Sequence, residues 1–86
     1  MEEAMMVAAT VAVYPLRQQD YRGIEAAIAV LQSSGLSADV QPMHTELSGP
    51  IEDLFAALRA AFEAAAQYGT TVMVVTLTNA CAPAQQ

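Results

Sequence analysis

Apolar residues along the chain follow two patterns, short continuous runs and longer stretches with a helical repeat. Residues 5–14 form a valine-rich run that Pro15 stops, which is typical of a buried strand. Residues 36–43 alternate in part between apolar and polar side chains, and Pro42 near their end favours an edge strand or a bulge. Residues 44–48 alternate less clearly and residues 71–78 are uncharged, and each of these segments predicts one further strand.

Two stretches place apolar residues at helical spacing. The first is predicted to begin after Asp20 as its N-cap and to end at residues 33–35. The second is predicted to begin with Gly49 as its N-cap and Pro50 at the first helical position, and to end at residues 68–69. The first apolar stripe is Tyr21, Ile24, Ala27, Ile28 and Leu31, and the second is Ile51, Leu54, Phe55, Leu58, Ala61, Phe62 and Ala65.

The order strand, helix, strand, strand, helix, strand predicts the fold class. Two split βαβ units give the ferredoxin-like α+β arrangement βαββαβ, a four-stranded antiparallel sheet with both helices on one face. A length of 86 residues allows one domain, so we expect residues 1–86 to form a single domain with residues 1–4 and 84–86 frayed.

The sheet face without helices is predicted to be uncharged. In the first strand Val7, Ala9, Val11 and Val13 can face the helices, which leaves Met6, Ala8, Thr10, Ala12 and Tyr14 on the other side. The last strand also lacks charge on both sides. A bare face of this size favours self-association through the open sheet face, as a dimer or tetramer, although a weakly polar solvent face is the alternative.

Composition excludes several partners. Nine acidic residues and three arginines give a net charge of −6, too acidic for binding nucleic acid or an anionic membrane surface. The uncharged residues 64–86 contain too many polar residues for a membrane span. The lone Cys81 permits no internal disulfide, and Met1-Glu2-Glu3 does not resemble a signal peptide, so we expect a cytoplasmic protein.

Few residues suggest catalysis. His44 is the only histidine, and in an extended strand its side chain and that of Glu46 would point to the same side. Nothing near Cys81 in the sequence lowers the pKa of its thiol. The chain has no ligand spacing for a metal and no glycine-rich phosphate motif, so neither a metal nor a cofactor is predicted.

Polar residues gather at the predicted strand ends. Tyr14 ends the first strand, residues 44–46 lie at the junction of the second and third, and residues 78–81 end the fourth. Together they offer an aromatic ring, hydroxyls, an amide, a thiol and a carboxylate, which suits a small polar heterocycle. Ordinary structural roles remain open, namely packing for Tyr14, strand formation for Thr78 and a turn for Asn79.

Three segments resemble the YkoF-like family of thiamin- and hydroxymethylpyrimidine-binding proteins. They are Val11-Ala12-Val13-Tyr14-Pro15-Leu16, Met43-His44-Thr45-Glu46-Leu47-Ser48-Gly49 and Thr76-Leu77-Thr78-Asn79-Ala80-Cys81-Ala82-Pro83. The resemblance spans residues 6–83 but departs at Ala80, where a glycine would precede the cysteine, and at Ala82, which separates Cys81 from Pro83.

This resemblance implies a non-enzymatic protein that captures thiamin or its hydroxymethylpyrimidine moiety and self-associates. The residues expected to bind the ligand are Tyr14, Thr45, Glu46, Thr78, Asn79 and Cys81. Two other functions stay open. One is a regulatory or scaffolding module that binds another small metabolite or a protein, and the other is an enzyme that uses His44 with Glu46, or Cys81.

Overall fold

The structure of the protein, a computed structural model, describes residues 5–80. Residues 1–4 and 84–86, predicted to be frayed, and Cys81 lie outside this range. The elements in chain order are β1 (Met6–Pro15), α1 (Arg22–Gln32), β2 (Ser37–Val40), β3 (Thr45–Pro50), α2 (Ile51–Ala66) and β4 (Thr71–Thr78). The strands form one antiparallel sheet in the order β2-β3-β1-β4. The predicted ferredoxin-like α+β fold is therefore confirmed.

The core lies between the sheet and the two helices. Val7, Ala9 and Val11 of β1 are buried, with Val13 packed against the same cluster, as their alternation in the strand predicted. Leu31 of α1 and Leu54 of α2 close this layer. Both helices therefore cover one side of the sheet and leave the other side uncovered. Tyr21, Phe55 and Phe62 of the predicted apolar stripes are wrong as core residues, because they are exposed. Among the residues described, no helix is long and apolar enough to cross a membrane.

Both helices begin one residue later than predicted. Tyr21, not Asp20, occupies the N-cap of α1, although the Asp20 carboxylate still accepts a hydrogen bond of 3.1 Å from the backbone N–H of Arg22. Pro50 is extended (φ −64°, ψ 142°) and caps α2, because β3 continues through Gly49 to Pro50. The N–H of Ile51, the first residue of α2, donates to the carbonyl of Met5 at 2.9 Å, so this helix start has a partner.

The uncovered side of the sheet, here called the open face, has a polar half and an apolar half. In the polar half Thr10 of β1 lies between Glu46 of β3 and Thr76 of β4. In the apolar half Ala12 lies opposite Val74, and Tyr14 lies opposite Val72. The predicted lack of charge holds for β1 and β4, but it does not extend to the β2–β3 end of the open face, where Asp39 lies opposite Glu46.

Candidate ligand site

Two cavities lie on opposite sides of the sheet. The helix-side cavity, of about 110 Å³, lies between β1, α1 and the turn that joins β2 to β3. The open-face cavity, of about 350 Å³, lies over the polar half of the open face. Strand alternation separates them, because Val11 and Thr45 point to the helices while Thr10 and Glu46 point away.

The helix-side cavity has apolar walls and a polar rim. Ile24 and Ile28 come from one face of α1, and Val11 and Val13 from the covered side of β1. The rim is the β2–β3 turn, in which the N–H of Gln41 donates to the carbonyl of His44 at 2.7 Å. An apolar cavity with a few polar groups at one end is typical of a site for a small organic molecule.

Thr45 supplies the polar group inside this cavity. It is the only buried polar residue among residues 5–80, with 3% of its surface exposed. Its place is fixed by register, because it pairs with Val11 on one side and with Val40 on the other. A buried hydroxyl normally has a hydrogen-bonding partner, and a molecule in the cavity would lie against this one.

His44 and Glu46 lie at the edge of the cavity. The Nε2 atom of His44 is 3.2 Å from Oε2 of Glu46, and the His44 side chain is about one-third exposed, at 32%. His44 lines the helix-side cavity, whereas Glu46 lines the open-face cavity. The prediction that both side chains point to the same side of a strand is wrong, because His44 lies in the turn before β3. The two side chains nevertheless meet, and this contact brings a negative charge to the rim of the apolar cavity.

The open-face cavity is acidic and has a mixed lining. The carboxylates of Asp39 and Glu46 are on directly opposite residues of β2 and β3, and the lining also includes hydroxyls of Thr10, Thr76 and Thr78 and apolar residues such as Ala8 and Leu47. Like charges on opposite residues of neighbouring strands repel, so this pair lowers the stability of the sheet. The amide of Gln41 donates to Asp39 at 2.8 Å and offsets part of that repulsion.

The predicted ligand-binding residues do not all meet in one place. Glu46 and Thr78 share the open-face cavity, and Thr45 lies on the helix side. Tyr14 is on the open face, six residues along β1 from Ala8. Because Ala8 pairs with Thr78, Tyr14 lies about 20 Å from Thr78. Asn79 is exposed beyond the end of β4. Cys81 lies outside the described residues.

The apolar walls of the helix-side cavity are not among the predicted ligand-binding residues. Ile24 and Ile28 belong to the predicted apolar stripe of the first helix, and their spacing shows only which face of α1 is apolar. Met43, 81% exposed and on the rim, follows Pro42 in the turn. An apolar side chain in a tight turn after proline is the one signal in the sequence that could have drawn attention to this region.

Metal ligands do not cluster in the part of the chain that the structure describes: residues 5–80 contain no group of three or more His, Cys, Asp or Glu side chains suited to one ion. Among these residues the polar groups of the helix-side cavity are a hydroxyl, an amide and an imidazole. Such groups donate and accept hydrogen bonds and can orient a small ring.

A ferredoxin-like domain with a small cavity between its first helix and its sheet offers a place for a small molecule. The chain belongs to the thiamine-binding protein family, whose model matches residues 9–79. The predicted resemblance to YkoF-like proteins is thereby confirmed. A comparison with curated proteins gave no match.

Solved structures share the fold. A protein of Streptococcus pneumoniae is 30% identical, with 86% of each chain covered and a TM-score of 0.79. A domain of unknown function (DUF77) from Bacillus cereus is 24% identical over 87% of this chain and 76% of its own, with a TM-score of 0.79. A Thermotoga maritima protein assigned provisionally to thiamine biosynthesis or salvage is 22% identical, over 84% of this chain and 81% of its own, with a TM-score of 0.73.

Proposed function

We propose that this protein binds thiamin or its hydroxymethylpyrimidine moiety, without catalysis, as a homo-oligomer. Membership of the thiamine-binding protein family supports the ligand class. The provisional assignment of the Thermotoga maritima protein to thiamine biosynthesis or salvage agrees with it. A cytoplasmic location, where a lone thiol such as Cys81 stays reduced, is part of the proposal.

The observation that carries the proposal is the size and lining of the helix-side cavity. Its volume of about 110 Å³ is below the roughly 150 Å³ of an apolar cavity that accommodates benzene, so a substituted pyrimidine ring would lie partly inside the cavity and partly in its mouth at the β2–β3 turn. Ile24 and Ile28 of α1 would contact one side of the ring, Val11 and Val13 of β1 would contact another, and Thr45 would lie against its polar atoms. Whole thiamin is too large for the cavity, so only its pyrimidine ring would enter.

The chemistry of the two halves of thiamin fits the two ends of the site. An aminopyrimidine offers ring-nitrogen acceptors and an amine donor, which the Thr45 hydroxyl and the Gln41 and His44 groups can match. The thiazolium ring is cationic and would lie outside, near the rim. There Glu46 supplies a carboxylate, and the chain's net charge of −6 favours the approach of a cation.

Self-association is assigned to the apolar half of the open face. Val72 and Val74 of β4 are 39% and 50% exposed, and Tyr14 is 48% exposed. A second copy that covers these side chains and Ala12 would remove apolar surface from water and leave the helix-side cavity accessible. In this arrangement Tyr14 contacts the second copy, and Thr78 lies beside the interface.

Titration calorimetry with thiamin and with free hydroxymethylpyrimidine tests the proposal directly. We expect heat and a thermal shift with both compounds, because the shared pyrimidine occupies the cavity. Chemical-shift mapping should place the changes at Ile24, Ile28 and Thr45 and leave Thr76 unchanged. The ligand assignment would be overturned if neither compound, at millimolar concentration, gave heat or a thermal shift.

A further inference from the structure

We propose that the helix-side cavity selects the unphosphorylated form of its ligand and rejects the phosphate esters of thiamin and of hydroxymethylpyrimidine. This inference rests on the proposed function, because it takes the pyrimidine ring to lie in that cavity and its mouth. Both compounds carry a hydroxyl group, which then lies at or beyond the rim. A phosphate ester on that hydroxyl adds a charge of about −1.5 to −2 near pH 7. The charges around the rim therefore decide whether the ester can bind.

Basic side chains, the usual partners of a phosphate group, are few and lie away from the cavity. The chain has three arginines and no lysine. All three arginines are within the described residues, and none of them lines the helix-side cavity or the open-face cavity. Arg22 is paired with Asp20 at 3.0 Å. Arg59 is paired with Glu63 at 3.1 Å on α2.

The backbone around Arg17 is held on the far side of β1 from the rim. The N–H of Leu16 donates to the carbonyl of Thr70 at 2.9 Å, and the side-chain amide of Gln18 donates to the same carbonyl at 2.7 Å. Thr70 immediately precedes β4, which lies on the opposite side of β1 from β3. The loop that carries Arg17 is therefore about two strand spacings, roughly 10 Å, from the strand that follows the rim.

The N-termini of the helices, which can also bind phosphate, already hold carboxylates. At α1, which forms one wall of the cavity, the Asp20 carboxylate accepts the backbone N–H of Arg22 at 3.1 Å, and Glu25 adds a negative charge in the first turn. The other helix, α2, begins at the opposite end of β3 from the rim and carries Glu52 and Asp53 in its first turn. A phosphate at either N-terminus would meet like charge.

The charges that lie at the rim are negative. Glu46 touches His44 there at 3.2 Å, and the Glu46 side chain is 56% exposed. Asp39 lies opposite Glu46 on β2, and among the described residues no arginine pairs with either carboxylate. These charges attract the cationic thiazolium and repel a phosphate, and the net charge of −6 acts in the same direction. The protein therefore binds its ligand before the hydroxyl is phosphorylated or after the phosphate is removed.

Titration calorimetry with thiamin, hydroxymethylpyrimidine and the monophosphate of each tests this selectivity. At low salt we expect each ester to bind roughly tenfold more weakly than its parent compound, the combined effect of two exposed carboxylates. The ratio should fall toward one in about 0.5 M salt, because salt screens exposed charges. Equal or tighter binding of the esters at low salt overturns the inference and leaves the proposed function standing. If neither parent compound binds, the proposed function fails and the selectivity fails with it.

Three variants separate the charge at the rim from other causes. Glu46→Lys should bring the affinities of ester and parent together or reverse their order, and it should stay folded by circular dichroism because a lysine opposite Asp39 forms a favourable cross-strand pair. Asp53→Lys makes the same change in net charge at the far end of β3, and it should leave the ratio nearly unchanged. Arg17→Gln should also leave the ratio unchanged.

Three results with these variants contradict the role given to the rim. The first is a ratio of affinities that Glu46→Lys does not alter. The second is an equal effect of Glu46→Lys and Asp53→Lys, which would assign the selectivity to net charge alone. The third is a selective loss of ester binding in Arg17→Gln, which would identify Arg17 as a partner of the phosphate.

Discussion

His44 and Glu46 connect the two sides of the sheet: their side chains touch at 3.2 Å, although His44 lines the helix-side cavity and Glu46 lines the open-face cavity. The contact is possible because His44 lies in the turn just before β3. Side chains there do not yet alternate between the two sides of the sheet. A charge on the open face is thereby brought within reach of a ligand bound on the helix side.

Glu46→Gln should weaken thiamin binding more than hydroxymethylpyrimidine binding. The carboxylate attracts the cationic thiazolium, whereas the free pyrimidine is neutral. For a solvent-exposed charge we expect roughly a two- to fivefold loss of thiamin affinity by calorimetry. Asp53→Asn is the control, because it removes one negative charge as well, but on α2. It should leave the ratio of the two affinities unchanged. Equal losses for both ligands in Glu46→Gln would contradict the role given to this charge.

Thr45→Val should weaken the binding of both ligands and leave the fold intact. Valine has the shape of threonine but lacks the hydroxyl, so the loss of one hydrogen bond predicts a roughly two- to tenfold lower affinity. The melting temperature should change little, because no buried partner in the free protein is left unpaired by the replacement. The matched change Thr76→Val, in the open-face cavity, should not alter binding. Unchanged affinity in Thr45→Val would place the pyrimidine elsewhere.

Gly49→Ala should destabilise the fold more than Gly35→Ala. Both glycines have positive φ, 154° and 87°, which costs an alanine about 1–2 kcal/mol. At Gly49 an added Cβ would also collide with the side chain of Leu36, which packs against the core, whereas nothing lies within 4 Å at Gly35. Urea denaturation measures both free energies of unfolding. Equal losses would show that Leu36 moves aside without cost.

Asp20 predicts a pH dependence of stability. The hydrogen bond from the Arg22 backbone N–H, aided by the Arg22 side chain, holds the pKa of Asp20 below its ordinary value of 3.8. Its ionised form therefore stabilises the fold above that value, and the contribution disappears as the pH falls through the lowered pKa. Melting temperatures should favour the wild type over Asp20→Asn near pH 6, with the gap narrowing as the pH falls below 3.8. A gap independent of pH would contradict this assignment.

The sequence allowed prediction of the fold because hydrophobic periodicity marks long elements well. The predicted bounds of β4 match the structure, and the inward residues of β1 follow from simple alternation. The start of α2 was shifted because a Gly-Pro pair suits a cap in a loop, whereas here the strand ladder with Met6 and Val7 holds both residues in β3. Tertiary pairing therefore overrode the local signal.

The candidate site was less predictable than the fold. Thr45 and Glu46 were predicted together because they are neighbours at a strand end, but adjacent residues in a strand point to opposite sides. Tyr14 and Thr78 lie far apart along the β1–β4 pair, and their separation can be known only from the register of the two strands. The cavity walls at Ile24 and Ile28 cannot be told from core by spacing alone, since only the packing of α1 against β1 leaves space between them.

No linker separates β3 from α2, because β3 ends at Pro50 and α2 begins at Ile51. This direct junction restricts where the chain can accept an inserted or deleted residue. One inserted residue there would turn the helix by about 100° and carry its apolar stripe away from the sheet. The six residues between β1 and α1 can absorb an insertion at no such cost. Natural variation in length among relatives should therefore concentrate before the first helix and avoid the start of the second.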